Sequence, residues 1–584
     1  MSSTARNLVW IEPETDLDLV SSYARKAGID EPLAALLIRR NVDVGEVEHH
    51  LHPTLRHYFP DPSSFADMDK AADLVSTAML SGQKTAVLAD YDVDGATSAA
   101  QLIRYFRHFG KDLDLYVPDR LKEGYGPSPA AFDELKARGV ELVITVDCGA
   151  AAEAALQHGY DIGLKIVVVD HHLMGEHIPR CSALVNPNRP DCGSGQGHLA
   201  AAGVVFVLLT AMNRLLRESH GYKQGDLPAL LNYLDLCALG TLCDMAPLHG
   251  VNRAFVLQGL KVYAQNESAG IAALCQVSGR STPDRITDLT FGLGPQLNAG
   301  GRIGDPWLAT KLLASTEFLE ALPIAETLNR LNTDRKEIEG AILQEARIQA
   351  RRQLEADPDL PMIVVGQEGW HPGVIGIVAG RLKDEFLRPA LVIGWGDDFG
   401  ELAKGSARSV TGINIGNIIS SAAADGLLLS GGGHAMAGGL SMLPDKLGEL
   451  GSYLTKKVAQ IGACPDEPRR IEIEIDVFAS ALSTDFVQAL ERAGPYGAGA
   501  PKPVLRIKDV AVLDRRLIGK NHIKARLGDG SGHVEAVAWR ASDTELWDAL
   551  APGNLVDVVG YAEINAWQGR DRVQFEIIDA RSKN

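Results

Sequence analysis

Three continuous apolar runs, each followed at once by an aspartate, constrain the fold of this chain more than any other feature. The runs are Thr85–Ala89, Leu142–Val146 and Ile166–Val169. Apolar runs without polar alternation are typical of strands buried on both faces, as in a parallel sheet with helices on either side. Residues 97–109 and 150–158 are predicted to form crossover helices. The pattern predicts an α/β fold in which the carboxyl ends of the strands meet at one edge of the sheet.

The turn after the first run is unusually acidic, with three carboxylates in Asp90-Tyr91-Asp92-Val93-Asp94-Gly95. Like charges repel and are costly to desolvate, so such clusters persist mainly where hard cations bind among them. A solvated turn is the alternative interpretation of this stretch alone. Asp147, Asp244 and the pair His171-His172 follow other predicted elements and bring further donors to the same edge. We therefore predict a metal site there.

The mixture of donors indicates which ions bind and how many. Carboxylates can bridge, and two ions about 3.5 to 4 Å apart stabilise both the attacking and the leaving oxygen of a phosphoryl displacement. Asp147 is the predicted bridge. Mixed oxygen and imidazole donors favour Mn²⁺ and allow Mg²⁺. Zinc is less expected, because the chain has no Cys-x-x-Cys pair.

These stretches resemble the four motifs of the DHH phosphoesterase superfamily. The matching residues are Asp90–Gly95, Val146–Gly149, Asp170–His172, and Gly240–Asp244 with Pro247-Leu248 and Asn252-Arg253. Further stretches resemble motifs of the RecJ family of single-strand-specific exonucleases, namely Gly294–Arg302, Gly405–Ser409 and Gly432–Gly438. One turn departs from the family pattern, since Gly499–Pro503 reads Gly-Ala-Pro-Lys-Pro where Gly-Asn-Pro-Glu-Pro is expected.

The resemblance implies a parallel-sheet DHH catalytic domain joined by a long helix to a second α/β domain, followed by a C-terminal OB-type β-barrel. An apolar stripe of 3.6-residue period from Ile324 to Leu354 also predicts the connecting helix. Five short strands separated by Gly and Asp turns predict the barrel. The predicted boundaries are 1–84 for an N-terminal helical region, 85–323 for the DHH domain, 324–357 for the connecting helix, 358–463 for the DHH-associated substrate-binding domain and 464–584 for the OB-fold nucleic-acid-binding domain.

The resemblance also implies roles for individual side chains. The predicted metal ligands are Asp90, Asp92, Asp94, Asp147, His171 and Asp244. All of these except Asp90 are also predicted catalytic residues, together with His172, which would orient a ligand or contact the phosphate. Asp170 is predicted to orient the turn. Guanidinium groups match phosphate oxygens, and the predicted substrate-binding residues are Arg302, Arg381, Ser406, Arg408 and His434.

The implied activity is that of a single-stranded-DNA-specific 5′-to-3′ exonuclease, which hydrolyses phosphodiester bonds with two metal ions and releases 5′-mononucleotides in DNA repair and recombination. The expected partners are single-stranded DNA, a single-strand-binding protein and a helicase. Two alternatives stay open. One is a DHH phosphoesterase for short oligoribonucleotides or nucleotide phosphates, which typically lacks the barrel. The other is a non-catalytic single-strand-binding component of a replication complex, in which eroded carboxylates are expected.

The formal net charge of −18 is unusual for a nucleic-acid binder. The local field matters more than the average, and residues 502–526 carry eight Lys or Arg against two Asp. We predict a basic patch there, with a solvated strand face as the alternative. Trp539, Tyr561 and Trp567 are candidate base-stacking residues, with a role in the barrel core as the alternative.

The compartment is predicted from cysteine usage and hydropathy. The seven cysteines are odd in number and show no paired spacing, which indicates a reducing interior. Residues 1–16 lack the apolar stretch of a signal peptide, and the apolar window Leu199–Met212 is too short to span a bilayer. We expect a cytoplasmic protein without disulfides or membrane contact.

Overall fold

A computed structural model of the protein describes residues 4–6, 8–12, 16–265, 268–396, 402–461, 470–567 and 570–583, without the side chains of 566, 567 and 570. The side chain of Trp567 and the predicted boundary at 463–464 therefore lie outside the described residues. The chain divides into two compact units. The barrel unit comprises residues 1–59, 247–257 and 467–584, and the two-sheet unit comprises residues 60–246 and 258–466.

The N-terminal part of the barrel unit is mostly helical. Its elements are β1 (Val9–Ile11), α1 (Leu17–Ala27), α2 (Glu31–Arg39), α3 (Val47–Leu51) and α4 (Leu55–Tyr58). Helix α1 begins after Asp16, whose carboxylate accepts hydrogen bonds from two free N–H groups, and ends at Gly28 in the left-handed conformation. The buried faces of α1 and α2 belong to the same hydrophobic core as the barrel strands.

The first sheet of the two-sheet unit has five parallel strands in the order β3–β2–β4–β5–β6. They are β2 (Thr85–Ala89), β3 (Asp114–Tyr116), β4 (Leu142–Val146), β5 (Lys165–Val169) and β6 (Ala183–Val185). Every residue of β2 and β4 is buried. The parallel sheet predicted from the three apolar runs is thus confirmed.

The helices of this part precede, connect and follow the strands. They are α5 (Met68–Ser81), α6 (Val93–His108), α7 (Pro129–Ala137), α8 (Glu153–Asp161), α9 (Ala201–Ser219), α10 (Leu234–Cys243), α11 (Gly250–Ala264), α12 (Ala269–Ser278), α13 (Gly294–Leu297), α14 (Gly300–Ile303) and α15 (Leu308–Ala314). Residues 250–257 of α11 belong to the barrel unit. Helix α6 begins four residues before the predicted start at Thr97, because Asp92 accepts hydrogen bonds from the first free N–H groups.

A 39-residue helix, α16 (Phe318–Ala356), follows the first sheet region. Its buried face includes Leu328, Ile342 and Ala350, which belong to the predicted apolar stripe. The helix begins six residues before the predicted Ile324 and contains Pro323. Because proline is favoured only in the first turn of a helix, the pattern places the helix start after Pro323, whereas in the structure Pro323 lies in the second turn and removes one backbone hydrogen bond.

The second sheet of the two-sheet unit is mixed, with strand order β10–β11–β9–β8–β7. Only the β7–β8 pairing is parallel among its described pairings. The elements are β7 (Ile363–Glu368), α17 (Pro372–Phe386), β8 (Ala390–Trp395), β9 (Ala403–Arg408), α18 (Ile415–Ala424), β10 (Ser430–His434), β11 (Ala437–Met442) and α19 (Leu447–Ile461).

The C-terminal part of the barrel unit contains the predicted five-stranded barrel. Its elements are β12 (Arg470–Glu472), β13 (Ile475–Val477), α20 (Thr484–Glu491), β14 (Leu505–Ile518), β15 (His522–Gly528), β16 (His533–Ala538), α21 (Glu545–Ala549), β17 (Leu555–Trp567) and β18 (Arg570–Ser582). Strands β14–β15–β16–β18–β17 pair in turn, and β17 pairs back with β14 to close the barrel. Among all described residues, no helix has the length and apolar character needed to cross a membrane.

Candidate metal centre

The carboxyl ends of three neighbouring strands deliver three buried aspartates. Asp90 follows β2, Asp147 follows β4 and Asp170 follows β5. Asp147 adopts a left-handed backbone with φ of 59°, which is uncommon outside glycine. Its carbonyl oxygen accepts a hydrogen bond of 2.9 Å from the Tyr125 hydroxyl. The sheet therefore brings together carboxylates that are 23 to 80 residues apart in sequence.

Two more aspartates lie at the start of α6. Asp92 caps the helix, with one oxygen 2.8 Å from the N–H of Asp94. A glycine is required three residues into α6, because a Cβ at Gly95 would lie 2.4 Å from the carbonyl oxygen of Asp90. This close approach holds the Asp92 and Asp94 turn against the end of β2.

Asp94 has a structural role that the sequence did not predict. Its two carboxylate oxygens accept hydrogen bonds of 2.7 and 2.9 Å from the N–H groups of Ala201 and Ala202, at the start of α9. The side chain is 1% exposed. The positive end of the α9 dipole thus partly compensates a buried carboxylate.

His171 lies among carboxylates from three parts of the chain. Its Nε2 atom is 3.2 Å from Asp147 Oδ1 and 3.8 Å from Asp94 Oδ2, while its Nδ1 atom is 3.9 Å from Asp244 Oδ2. Asp244 caps the end of α10. One imidazole therefore touches carboxylates from β4, α6 and α10.

All six predicted ligands are brought together. Three groups of donor atoms each lie within 4.8 Å of one another: Asp90, Asp92 and Asp147; Asp94, His171 and Asp244; and Asp147, His171 and His172. Asp147 and His171 are each shared by two of these groups.

Hydrogen bonds within the described part of the protein do not satisfy all the buried polar atoms of these donor groups. Asp90 Oδ1 and His171 Nε2 are buried and make no hydrogen bond to any described residue, since the 3.2 Å contact of Nε2 with Asp147 lacks hydrogen-bond geometry. Burial, followed by neighbouring aspartates, raises the pKa values of Asp90, Asp94 and Asp147 well above their usual range. Burial and Asp92 raise the pKa of Asp244 to about 7. Clustered buried oxygens of this kind, with one imidazole, fit divalent cations such as Mn²⁺ or Mg²⁺.

Asp170 orients the two histidines. One oxygen accepts hydrogen bonds from the N–H of His171 at 2.8 Å and from Nδ1 of His172 at 2.8 Å, and the other accepts from the N–H of Ala150 at 2.9 Å. Burial alone disfavours a charged His172, but the hydrogen bond and charge of Asp170 outweigh it and raise its pKa to about 9. Asp170 therefore favours the protonated form of His172 in the metal-free protein.

Three of the predicted substrate-binding residues lie near one another. Ser406 accepts a 3.1 Å hydrogen bond from Arg408 Nη1, and Arg302 donates to the carbonyl oxygen of Gly373 at 3.3 Å. Burial, and then the charge of Arg120, lowers the pKa of both Arg302 and Arg408. The charge of Asp92 raises the pKa of Arg302, so Arg302 lies close to the acidic cluster.

Arg120 was missed by the sequence analysis. Its guanidinium lies 5.2 Å from the centre of the Tyr91 ring. The available signal was its place in the loop after β3, since loops at the carboxyl ends of parallel strands line the binding crevice. Of the other predicted residues, Arg381 lies 3.7 Å from Glu339 of α16, and His434 is exposed at the end of β10.

The basic segment 502–526 is partly neutralised within the barrel unit. Four of its cations form ion pairs: Lys502 with Glu563, Arg506 with Asp476 and Glu12, Lys508 with Asp476, and Lys524 with Glu535. Of the stacking candidates, Trp539 is 47% exposed beside His522, whereas Tyr561 packs against a small core around Trp10. The alternative of a core role thus accounts for Tyr561.

Known proteins share this architecture over its full length. Residues 84–241 match the DHH family, N-terminal domain, residues 359–460 match the DHHA1 domain, and residues 473–579 match the RecJ OB domain.

The single-stranded-DNA-specific exonuclease RecJ of Bacillus subtilis is 33% identical over 579 residues, covering 99% of this chain and 71% of that protein. The Escherichia coli enzyme of the same name is 34% identical, covering 88% of this chain and 89% of that protein. The crystal structure of Thermus thermophilus RecJ in complex with Mn²⁺ has a TM-score of 0.81 at 29% identity, covering 99% of this chain and 80% of that one. The chain therefore belongs, as its motifs predicted, to the RecJ family of single-stranded-DNA-specific exonucleases.

Proposed function

We propose that this protein is a metal-dependent exonuclease that degrades single-stranded DNA from its 5′ end to 5′-mononucleotides. The observation that carries the proposal is the convergence of six predicted ligands, with unsatisfied buried donor atoms, at the carboxyl edge of the first sheet. Its RecJ relatives are named single-stranded-DNA-specific exonucleases, and solved RecJ structures are complexes with Mn²⁺ or Mg²⁺. Repair and recombination are the proposed setting, with a single-strand-binding protein and a helicase as proposed partners.

The donor groups support two ions. Asp90, Asp92 and Asp147 offer only oxygen, whereas Asp94, His171 and Asp244 include an imidazole. Asp147 has donor atoms in contact range of both groups and is the proposed bridge. Mn²⁺ is favoured and Mg²⁺ is possible, because an imidazole is softer than a carboxylate. When bound, the cations supply Lewis acidity toward the attacking water and the phosphate oxygens.

His172 is the proposed donor to the reacting phosphate. Its Nδ1 is engaged by Asp170, and its Nε2, which lies 3.2 Å from the Tyr125 hydroxyl, is the nitrogen available to donate to an anion. Against the effect of burial, the hydrogen bond and charge of Asp170 raise the pKa of the ring and favour its protonated form. A hydrogen bond from a charged donor strengthens as negative charge builds on the phosphate, so it lowers the barrier.

Arg120, Arg302 and Arg408, with Ser406, are the proposed holders of the terminal 5′-phosphate. Burial, and then repulsion by neighbouring guanidinium groups including Arg120 and Arg408, lowers the pKa of Arg302 to about 10. An anion bound among them relieves that repulsion, and guanidinium forks match phosphate oxygens. Arg381 and His434 are proposed to contact phosphates further along the strand.

A substrate panel with Mn²⁺ tests the proposal. Hydrolysis of a 5′-phosphorylated single strand is expected, with mononucleotides released from the labelled 5′ end, and a blunt duplex should be degraded slowly. Preference for dinucleotides would favour a small-substrate phosphoesterase, and strand binding without hydrolysis would favour a non-catalytic role. Asp147→Asn should abolish hydrolysis, while Asp359→Asn, at an exposed turn, serves as the matched control.

A further inference from the structure

The loop after β6 lies at the same sheet edge as the two histidines of the metal centre. Strand β6 ends at Val185, and the chain continues as Asn186-Pro187-Asn188-Arg189. Strands β5 and β6 are parallel neighbours, and His171 and His172 follow β5. The carboxyl ends of adjacent parallel strands lie side by side, so the two loops are neighbours. We call residues 186–189 the asparagine loop.

Each asparagine of this loop donates to the backbone of one histidine. Nδ2 of Asn188 lies 2.6 Å from the carbonyl oxygen of His171 and 3.0 Å from that of Gly197. Nδ2 of Asn186 lies 2.9 Å from the carbonyl oxygen of His172. The other atom of the Asn186 amide, Oδ1, accepts a 2.8 Å hydrogen bond from the N–H of Asn188. Only one orientation of the Asn186 amide satisfies both of its contacts, so its donor must face His172.

The asparagine loop is itself held within the two-sheet unit. Asn186 is fully buried. Arg189 is also buried, and its Nη1 donates to Asp67 at 2.9 Å and to the carbonyl oxygen of Leu184 at 2.6 Å. Asp67 caps the start of α5, and Leu184 lies in β6. The two amide donors are therefore mounted on a loop that is anchored to both a helix and a strand.

The backbone of the histidine pair is thus bound from two sides. Asp170 accepts hydrogen bonds from the N–H groups of His171 and His172 at 2.8 and 3.2 Å. The asparagine loop donates to the carbonyl oxygens of the same two residues. These groups flank the Cα atoms of both histidines, so a change in their backbone dihedral angles would distort at least one hydrogen bond. The direction in which each imidazole leaves the backbone is fixed by this arrangement.

We propose that Asn186 and Asn188 are positioning residues for the histidine pair. Asn188 keeps the His171 ring in its donor group with Asp94 and Asp244, and Asn186 keeps His172 directed at the reacting phosphate. The inference rests on the proposed function, because it takes His171 as a metal ligand and His172 as the phosphate donor. Without the Asn188 amide, the peptide between the two histidines can rotate. The His171 ring is then in its ligand position in only a fraction of the molecules, and the affinity for the ion falls by that fraction.

Mn²⁺ binding to the full-length protein without DNA tests the proposal, with free Mn²⁺ counted by electron paramagnetic resonance. Asn188→Ala should weaken the more weakly bound ion roughly tenfold, as loss of supporting contacts around a metal ligand typically does. Asn329→Ala is the matched control, because Asn329 is also half-buried and its Nδ2 donates to the carbonyl oxygen of Val277 at 3.3 Å. The Mn²⁺ affinity of this control should stay within about twofold of the parent, since the lost hydrogen bond holds no residue of the metal centre.

A double variant separates positioning from general destabilisation. In a His171→Ala background, Asn188→Ala should have little further effect on Mn²⁺ affinity, because Asn188 acts through that ring. Additive effects would overturn the proposal, as would equal Mn²⁺ affinity in the Asn188→Ala and parent proteins. If Asn188→Ala fails to fold, Asn188→Ser carries the same expectation. A parent protein that binds no Mn²⁺ would instead refute the proposed function.

The maximal rate of hydrolysis distinguishes the two asparagines. In Asn188→Ala the rate should recover at saturating Mn²⁺, because the excess of the ion restores occupancy. In Asn186→Ala it should stay about tenfold below that of the parent even at saturating Mn²⁺, because His172 is then misdirected. Full recovery in Asn186→Ala would overturn the assignment of Asn186 to His172.

Discussion

Replacing Gly95 with alanine perturbs the candidate metal centre without removing a ligand. The added Cβ would lie 2.4 Å from the Asp90 carbonyl oxygen and 2.8 Å from its carbonyl carbon, where ordinary contacts begin at 3.4 Å. Because both atoms are backbone, relief requires the first turn of α6 to move about 1 Å from the end of β2, at a cost of about 1–3 kcal/mol. Asp92 and Asp94 move with this turn, whereas metal sites tolerate changes of only about 0.2 Å in their metal–ligand distances.

The expected result for Gly95→Ala is a 10- to 100-fold loss of Mn²⁺ affinity, with a melting temperature only a few degrees lower. Mn²⁺ titration and thermal denaturation of the same sample measure both. Gly340→Ala is the matched control, because a Cβ at that position of α16 meets nothing within 4 Å. Parent-like Mn²⁺ affinity in Gly95→Ala would refute the argument that this close approach positions the ligands.

Three further predictions follow from the site and the barrel. Arg120→Ala should raise the KM for 5′-phosphorylated strands by roughly 10- to 100-fold, as loss of a charged hydrogen bond does, and should leave Mn²⁺ affinity unchanged. The control Arg330→Ala, on an exposed face of α16, should change neither the KM nor the Mn²⁺ affinity. In EDTA, thermal stability should fall as pH rises from about 4 to about 7, because the pKa of Asp244 is raised to about 7 in the folded protein and its ionisation there is unfavourable. Mn²⁺ should abolish this decline. A melting temperature that does not change with pH in EDTA would contradict the placement of Asp244 in the buried acidic cluster. Trp539→Ala should weaken binding of long single strands by about 1–3 kcal/mol if the ring stacks on a base, and unchanged binding of a long oligonucleotide would exclude that role.

The place of the metal centre was predictable because it depends on local patterns. Apolar runs mark buried strands, and the residues that follow Val146 and Val169 must lie at one sheet edge once the strands are parallel. The double hydrogen bond of Asp94 to α9 was not predictable in this way. It joins positions more than 100 residues apart, and no periodicity in the sequence reports such a contact.

The barrel illustrates the same limit. Its strands were visible as short apolar segments between turns, so the architecture was predicted. The ion pairs that partly neutralise residues 502–526 were not predictable, because their acidic partners Glu12, Asp476 and Glu563 come from other parts of the chain. Ion pairs of this kind depend on tertiary structure, so they cannot be predicted by counting the lysines and arginines of one segment.

The contact between Asp94 and the first N–H groups of α9 bears on how the protein matures in the cell. A carboxylate already solvated by two amides lets the acidic edge assemble while the newly made chain is still free of metal. The two amide hydrogen bonds thus lower the electrostatic cost of bringing Asp94 into the folded edge before any cation is bound there.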